Sequence, residues 1–482
     1  MTIQQLSPWP STADSDNFDA RADQVGIELP VMIDEINEAI TALNFNSTNG
    51  TSSTSVTIGT GSKSFTASTG KSWQLGMTIK IANTTTPTNS MLGDVTAYNS
   101  GSGALTVNVT QTSGSGTFAA WTISQAGVSS LNIVNSNANK IINGAMIIDQ
   151  RYEGTTVTPT VNTYLCDRWA CDIATSSKLS FIRAIDGPPG YVFSQLITVA
   201  TQTAPTSGQK YLYRQPIEGI NCSEFQLGTS GATNITVGLW IKSSIAGTYS
   251  VSLSNSLTDR TYVGTITVTT GWTRQTLTIP GDTTGTWDTG IGDSTGLILS
   301  IDLGSGTSFN ATSGAWNSGQ FTRTSGSVTF VNNTAGATLN ITGVSLLAGN
   351  IAPDFGTPNI DMELKSCHRY YEKSFTQGNK PAQNIGTGIG EHTAVAITAG
   401  ATSYRVFERF NASKARIPTM TYYNPSAANA FPRDVTASVN CSAMTGNTPN
   451  ENAFFAIFTQ NASTSINNAM VVHWTAEAEL TL

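Results

Sequence analysis

The segment at residues 366–374 brings together a thiol, an imidazole and two phenols, side chains from which proteins build nucleophilic or metal sites. Cys367 and His368 are adjacent, so they point to opposite faces of a strand and diverge on a helix. They are therefore poorly placed to act on each other as nucleophile and base. The other histidines, His392 and His473, are distant in sequence, and neither Cys-x-x-Cys nor His-x-x-x-His spacing occurs. We predict no catalytic residue, no metal site and no cofactor in this chain.

A structural role explains the same segment better. Over residues 363–374 the pattern predicts that Leu364, Cys367 and one tyrosine pack inward. The charged side chains are then expected to form a solvated rim, which comprises Lys365, Arg369, Glu372 and Lys373.

A second candidate is the acidic loop at residues 281–293, which carries Asp282, Asp288 and Asp293 around Trp287. Such a set suits a calcium ion, or a pair of glycosidase carboxylates beside a ring on which a sugar stacks. The spacing matches no calcium-loop template, however, and Asp with Gly and Thr is the usual composition of a long turn. We favour a turn and keep a sugar or calcium contact as the alternative.

Two tryptophans, Trp287 and Trp316, differ from the others because they lie in polar, glycine-rich loops. A ring in such a loop is harder to explain by core packing, and loops often carry binding residues. These two rings are therefore our candidates for glycan contacts. We nevertheless favour the interpretation that they fold back on their own sheet or lie between subunits.

The composition argues against several classes of protein. Lys and Arg number 24 against 31 Asp and Glu, so the net charge of −7 offers no broad positive field, and we expect no nucleic-acid partner. The first residues lack the basic and apolar regions of an export signal, and no apolar run approaches the roughly 18 residues of a membrane span. Five scattered cysteines indicate folding in a reducing compartment.

One helix is predicted, close to the N-terminus. Apolar residues recur there at alternating intervals of four and three, the heptad pattern of a coiled coil: Phe18, Ala22, Val25, Leu29, Met32, Ile36, Ala39 and Leu43. Ile33 and Ile40 widen this stripe, which favours three strands over two. Pro30 is expected to kink or split the helix. The pattern predicts a homotrimer, and the alternative is an amphipathic helix that lies on the next domain.

The rest of the chain is predicted to be mainly β. Short alternating segments are separated by Gly-, Ser- and Asn-rich turns, with no helical pattern of useful length between them, so the sheets should be antiparallel. The large central region suits a jelly-roll-like antiparallel β-sandwich. We predict five parts: an N-terminal segment and helix (1–45), a small β module (46–128), a linker (129–140), the sandwich (141–358) and a C-terminal β domain (359–482).

Several segments resemble the tail fibre and related virion proteins of tailed bacteriophages. Residues 17–25, "NFDARADQV", are similar to the segment by which such fibres attach to the particle, and residues 52–124 resemble a small β module of fibre and tail proteins. Other segments resemble parts of a carbohydrate-binding-module-like sandwich and the final strand of phage structural proteins: 141–169, 342–355, 363–374 and 473–480. One departure is Leu347-Ala348-Gly349, where the family commonly has Leu-Glu-x-Gly, so any metal or turn role of that carboxylate is in doubt.

The resemblance implies a homotrimeric tail fibre, bound to other tail or baseplate proteins through its N-terminus and with its C-terminal domains outward. We predict a virion protein, folded in the host cytoplasm before assembly, that adheres to a host surface glycan or receptor through many weak contacts. The region after residue 360 is predicted to present the tip.

Two alternatives to adhesion stay open. The first is a passive head or tail decoration fibre without a ligand. The second is a polysaccharide depolymerase, a class that usually carries long β-helix repeats, whereas no repeat of fixed period occurs here. We predict that the protein is not an enzyme.

Overall fold

The computed structural model of the protein describes residues 16–45, 48–126 and 139–481, and for residues 37–45 it describes the backbone alone. The chain divides into two compact units, the first up to residue 133 and the second from residue 134. None of the helices in the described ranges offers the apolar length that a bilayer core requires.

The N-terminal helix α1 runs from Phe18 to Phe45 and continues through Pro30, so the proline does not split it. Val25 is buried, and the other predicted seam residues up to Ile36 are half-buried. The side chains of Ala39 and Leu43 lie outside the described residues. Among the described side chains of α1, the large apolar ones of Ile27, Val31 and Ile33 stay exposed, at 65%, 43% and 47%. The helix is therefore as predicted, whereas the coiled coil and the trimer stay predictions.

The small β module contains eight strands: β1 (Gly50–Ser52), β2 (Val56–Thr57), β3 (Gly61–Thr66), β4 (Thr78–Asn83), β5 (Ser90–Tyr98), β6 (Ala104–Ser113), β7 (Thr117–Phe118) and β8 (Trp121–Gln125). Six of them form an antiparallel sheet in the order β1-β8-β4-β5-β6-β3, and β2 pairs with β7. A β-bridge between Ser52 of β1 and Ala67, directly after β3, joins the two edges of the six-stranded sheet. The sheet thereby closes into a ring. Alternate side chains such as Ile79, Ile81 and Ile123 point into this ring and are fully buried.

The second unit begins with a two-sheet sandwich. Its strands are β9 (Thr163–Tyr164), β10 (Ala170–Ile173), β11 (Leu179–Ala184), β12 (Ser194–Val199), β13 (Tyr211–Glu218), β14 (Ile235–Ser243), β15 (Gly247–Ser254), β16 (Arg260–Val268), β17 (Thr273–Ile279), β18 (Thr295–Asp302), β19 (Trp316–Ser318) and β20 (Thr338–Ala348). One sheet has the order β19-β16-β15-β18-β13-β10-β9 and the other the order β11-β12-β20-β14-β17. All neighbouring strands are antiparallel, which confirms the predicted pairing.

The two sheets enclose one apolar core, which contains Tyr211, Tyr213 and Leu299 from the seven-stranded sheet and Val237 and Leu339 from the five-stranded one. Short helical turns lie between the strands: α2 (Gly219–Cys222) and three 3₁₀ turns at Ser223–Phe225, Thr307–Phe309 and Phe330–Asn332.

A long segment between β18 and β20 covers part of the outer face of the seven-stranded sheet. Arg323 donates to the carbonyl oxygens of Ser305 (2.6 Å) and Ser327 (2.5 Å), and Thr322 donates to Asp302 (2.9 Å). The Ser327 hydroxyl lies 2.6 Å from that of Ser250 on β15. This segment buries outward polar side chains of β15 and β18 such as Ser250 and Asp302, whereas Arg214 of β13 and Ile298 of β18 border an open part of the face.

The C-terminal domain follows directly and contains α3 (Ile360–His368) and the strands β21 (Tyr371–Lys373), β22 (His392–Val395), β23 (Ser403–Arg409), β24 (Thr419–Tyr423), β25 (Arg433–Asp434), β26 (Val439–Asn440), β27 (Ala453–Thr459) and β28 (Ala469–Glu477). The long strand β28 pairs with four others, β21, β22, β24 and β25. A separate antiparallel pair is formed by β23 and β27.

The segment at residues 366–374 lies at the junction of this domain with the sandwich, and the predicted rim is wrong in part. Cys367 lies in the last turn of α3, which ends at His368, and both tyrosines that follow are buried, not one. Glu372 and Lys373 are also buried, at 1% and 7% exposure, because Glu372 pairs with Lys414 and Lys373 with Glu153 of the sandwich. The segment forms a strand only after residue 370, so alternation was a poor guide to its first half.

Candidate functional site

The structure places the two predicted tryptophans against each other at the edge of the seven-stranded sheet. Trp316 begins the edge strand β19 opposite Tyr262, and its ring centroid lies 5.3 Å from that of Trp287 at an interplanar angle of 83°. Their indole N–H groups donate to the carbonyl oxygens of Pro280 (2.7 Å) and Thr284 (3.0 Å). Both rings are half-buried and pack against the sandwich core. The rings fold back on their own sheet, and a glycan contact by either stays a prediction.

The first acidic residue of the predicted loop has a structural partner. Asp282 is 4% exposed and accepts hydrogen bonds of 2.7 Å from Nε and from Nη2 of Arg260, together with bonds from the amide and the hydroxyl of Thr284. Burial alone raises the pKa of Asp282, but the bonds from Arg260 and Thr284 outweigh it and hold the pKa below its usual 3.8. Asp282 therefore fixes the loop as a turn. Within the described ranges no three His, Cys, Asp or Glu side chains gather as ligands for a metal ion.

Replacing Asp282 with Asn should lower the free energy of unfolding at pH 7 by about 1–3 kcal/mol, because a buried charged hydrogen-bond pair is lost. A carboxylate with a lowered pKa stabilises the fold above its unfolded pKa and loses that contribution as the pH falls through its folded pKa. The difference between D282N and the parent should therefore shrink as the pH falls below 3.8. Urea unfolding at several pH values measures it, and Asp186→Asn, which breaks the exposed pair with Lys242, is the control. If the two substitutions lowered the free energy of unfolding equally, Asp282 would not form the stabilising buried pair with Arg260.

A polar cleft of about 480 Å³ lies on the open part of the seven-stranded sheet. It contains both remaining acidic residues of the predicted loop, Asp288 and Asp293, whereas Asp282 and the tryptophans do not line it. The other lining residues are Asn162, Asp172, Lys210, Arg214, Ser256, Thr258, Ser294, Thr295, Ile298, Gln320 and Thr481.

The floor of the cleft is charged. On β13, Tyr211 and Tyr213 face the core, so the alternation of the strand turns Arg214 outward beside Asp172 of the neighbouring strand β10. The Asp172 carboxylate lies 3.3 Å from both the Arg214 guanidinium and the Lys210 ammonium. Arg214 is only 8% exposed, and among the described residues its Nε finds no hydrogen-bond partner. The guanidinium of Arg214 and the ammonium of Lys210 both belong to residues that line the cleft, and both groups can donate to a ligand oxygen.

The walls of the cleft supply hydroxyl, amide and carboxylate groups. Asp288 and Asp293 are exposed, and they come from the loop that leads into β18. Ile298 of β18 adds one apolar side chain to the floor. Donors from Arg and Lys beside acceptors from Asp match a ligand that carries both, as each sugar hydroxyl does. The arrangement suits a polyhydroxylated ligand rather than an apolar one.

Sequence reasoning missed the floor of the cleft. Asp172, Lys210 and Arg214 lie in or beside strands whose neighbours are apolar, in a chain with only 11% charged residues. A charged residue on the outward side of a strand could therefore have indicated a candidate binding surface. The pairing of β10 with β13, which brings Asp172 and Arg214 together, is a property of the topology and not of either segment.

Comparisons with known proteins gave structural similarities only. No family model matches the chain, and no curated protein matches it. Three of the similar solved structures are a putative sugar binding protein from Bacteroides thetaiotaomicron, a family 11 carbohydrate-binding module of a Clostridium thermocellum cellulosomal cellulase, and the enzymatically active domain of tailspike protein 4 from bacteriophage CBA120.

The similarity to these structures is weak. The sugar binding protein is 14% identical with a TM-score of 0.24, over 44% of this chain and 99% of its own. The family 11 module is 11% identical with a TM-score of 0.22, over 42% and 98%. The tailspike domain is 11% identical with a TM-score of 0.23, over 44% of this chain but 21% of its own length. TM-scores this low do not by themselves indicate a ligand.

Proposed function

We propose that this protein is an adhesive fibre subunit of a tailed bacteriophage, which binds a host surface glycan in the polar cleft of its sandwich. The observation that carries the proposal is the charged floor of the 480 Å³ cleft, where the Asp172 carboxylate lies 3.3 Å from both Arg214 and Lys210. The cleft differs from the site that the sequence predicted, because it uses Arg214, Lys210 and Asp172 in place of the two tryptophans.

The charges of the cleft favour a neutral glycan. Two cations and three carboxylates line it, and Asp172 is already paired with both cations. An acidic sugar would meet the like charges of Asp288 and Asp293, whereas neutral hydroxyl groups can bridge donors and acceptors. Each such contact is weak, so firm attachment is expected to come from several copies of the fibre on one particle.

The test is a glycan array with the purified chain, combined with an assay for released sugar. Binding without release supports the adhesive fibre. Release of product instead supports a depolymerase. Failure to bind any host surface glycan, together with tight attachment to virion components, supports the passive fibre and overturns this proposal.

The fibre role also requires a homotrimer, whose N-terminal segment binds tail or baseplate proteins. Support comes from the resemblance of residues 17–25 to fibre attachment segments and from the exposed Ile27, Val31 and Ile33 of α1. Light scattering should give about 152 kDa, three times the chain mass of 50.7 kDa. A chain without residues 1–45 tests whether α1 holds the trimer. A stable mass near 50.7 kDa for the full chain at micromolar concentration would contradict it.

A further inference from the structure

We infer that the C-terminal domain positions one wall of the cleft through Glu218 and Arg369, and thereby sets the affinity of the sandwich for its ligand. The effect on affinity rests on the proposed function, whereas the positioning of the wall does not. The wall in question is the loop of residues 288–294, which carries Asp288, Asp293 and Ser294 into the cleft.

Glu218 holds this loop from behind. It is the last residue of β13, the strand that also carries Arg214, and it is 1% exposed. Its Oε1 accepts a hydrogen bond of 2.8 Å from the backbone amide of Gly292, in the middle of the loop. The neighbouring amides of Gly219 and Ile220 donate to the carbonyl oxygens of Ser294 and Gly290, each at 2.8 Å. The loop is therefore fastened to the end of β13 at three points.

The C-terminal domain supplies the remaining partners of Glu218. Arg369, directly after α3, donates from Nη2 to Oε1 (2.5 Å) and from Nε to Oε2 (2.8 Å), and the Tyr370 hydroxyl donates to Oε2 (2.9 Å). Burial raises the pKa of Glu218, but these bonds outweigh it and lower the pKa. One buried carboxylate thus joins a residue of the C-terminal domain to a backbone amide of the cleft wall.

Two further contacts bring the C-terminal domain to the cleft. Gly292 has φ +94°, and a side chain there would lie 3.1 Å from the carbonyl oxygen of Ala415, so the C-terminal domain packs directly against the loop. At the other side Thr481 lines the cleft, and the carbonyl oxygen of Leu480 accepts from the Tyr164 hydroxyl at 2.8 Å. The sandwich therefore does not form the cleft alone.

The test uses the full chain with Arg369→Lys, which keeps the charge but cannot make the paired bonds to Glu218. We expect deuterium uptake of residues 288–294 to rise and the affinity for the array-identified glycan to fall roughly 3- to 10-fold. Tyr370→Phe removes a single bond to Glu218 and should act in the same direction, less strongly. Glu477→Gln is the matched control, because it weakens an ion pair with Arg151 at the same junction without a contact to the loop.

The outcomes separate the two proposals. The inference is overturned if R369K leaves both loop exchange and affinity at parent values, or if E477Q changes them equally. If the parent chain binds no glycan, the proposed function fails. A comparison of the deuterium uptake of residues 288–294 between R369K and E477Q still decides whether Arg369 positions the wall. A general loss of stability would raise exchange across the domain and not in this loop alone.

Discussion

Replacing Arg214 with Met is expected to weaken glycan binding at least tenfold while the sandwich stays folded. The substitution keeps an unbranched chain on the floor of the cleft but removes the guanidinium beside Asp172 and its donors to the ligand. A hydrogen bond from a charged donor is worth about 1.5–3 kcal/mol, and roughly 1.4 kcal/mol corresponds to one tenfold step in affinity. Calorimetric titration with the glycan identified on the array measures the change.

The matched control is Arg274→Met. Arg274 lies on β17 of the other sheet, and its Nε is also buried without a partner among the described residues. It does not line the cleft. We expect R274M to bind as the parent chain does. Equal affinities of R214M and the parent would place the ligand elsewhere, and an equal loss in both variants would indicate a change in stability rather than in the site.

Replacing Glu479 with Ala is expected to lower the free energy of unfolding by about 3–5 kcal/mol, the largest stability effect that we predict. Glu479 is 2% exposed, and its carboxylate pairs with Arg168 of the sandwich, which is 1% exposed. Removing it leaves a buried guanidinium whose other contacts are the Pro216 carbonyl (2.6 Å) and the Tyr370 ring (3.5 Å). Chemical unfolding of the parent and the variant measures the loss.

Glu408→Ala serves as the control for this prediction. Glu408 also belongs to the C-terminal domain, but its carboxylate is 38% exposed and pairs with His392 at the surface. Exposed pairs contribute about 0–1 kcal/mol, so E408A should unfold close to the parent. Because Arg168 and Glu479 join the sandwich to the last segment of the chain, E479A is also expected to make the two domains unfold less cooperatively. If E479A lost no more unfolding free energy than E408A, the Arg168–Glu479 pair would not stabilise the fold as we predict.

Much of the strand pattern follows from local sequence. In β13, β14 and β18, apolar side chains alternate or run continuously, and turn residues bound each strand, so the position of these strands and their antiparallel pairing were predictable. The short helix α3 was not predicted, although its signals were present. The Asn359 side chain accepts from the amides of Asp361 (3.0 Å) and Met362 (3.2 Å) as an N-cap, and acidic residues occupy the first turn.

The candidate site was predictable only in part. Asp288 and Asp293 were singled out from the acidic loop, and both line the cleft. Asp172 and Arg214 are more than forty residues apart in sequence, and only the pairing of β10 with β13 makes them neighbours. The polar loops around Trp287 and Trp316 suggest a binding role for the two rings. Edge-to-face packing and hydrogen bonds to two backbone carbonyl oxygens explain the positions of the rings. The composition of a loop does not reveal which distant residues its side chains contact in the fold.

Hydrogen–deuterium exchange of the full chain, with and without the glycan found on the array, distinguishes binding in the cleft of the sandwich from binding at the C-terminal domain. We predict protection in two regions that meet only in the folded sandwich, residues 210–214 and 288–298. The region after residue 360 that the sequence marked as the tip should show no protection apart from residues near Thr481, which lines the cleft. Protection confined to residues 390–470, with none at Arg214, would show that the glycan binds outside the cleft.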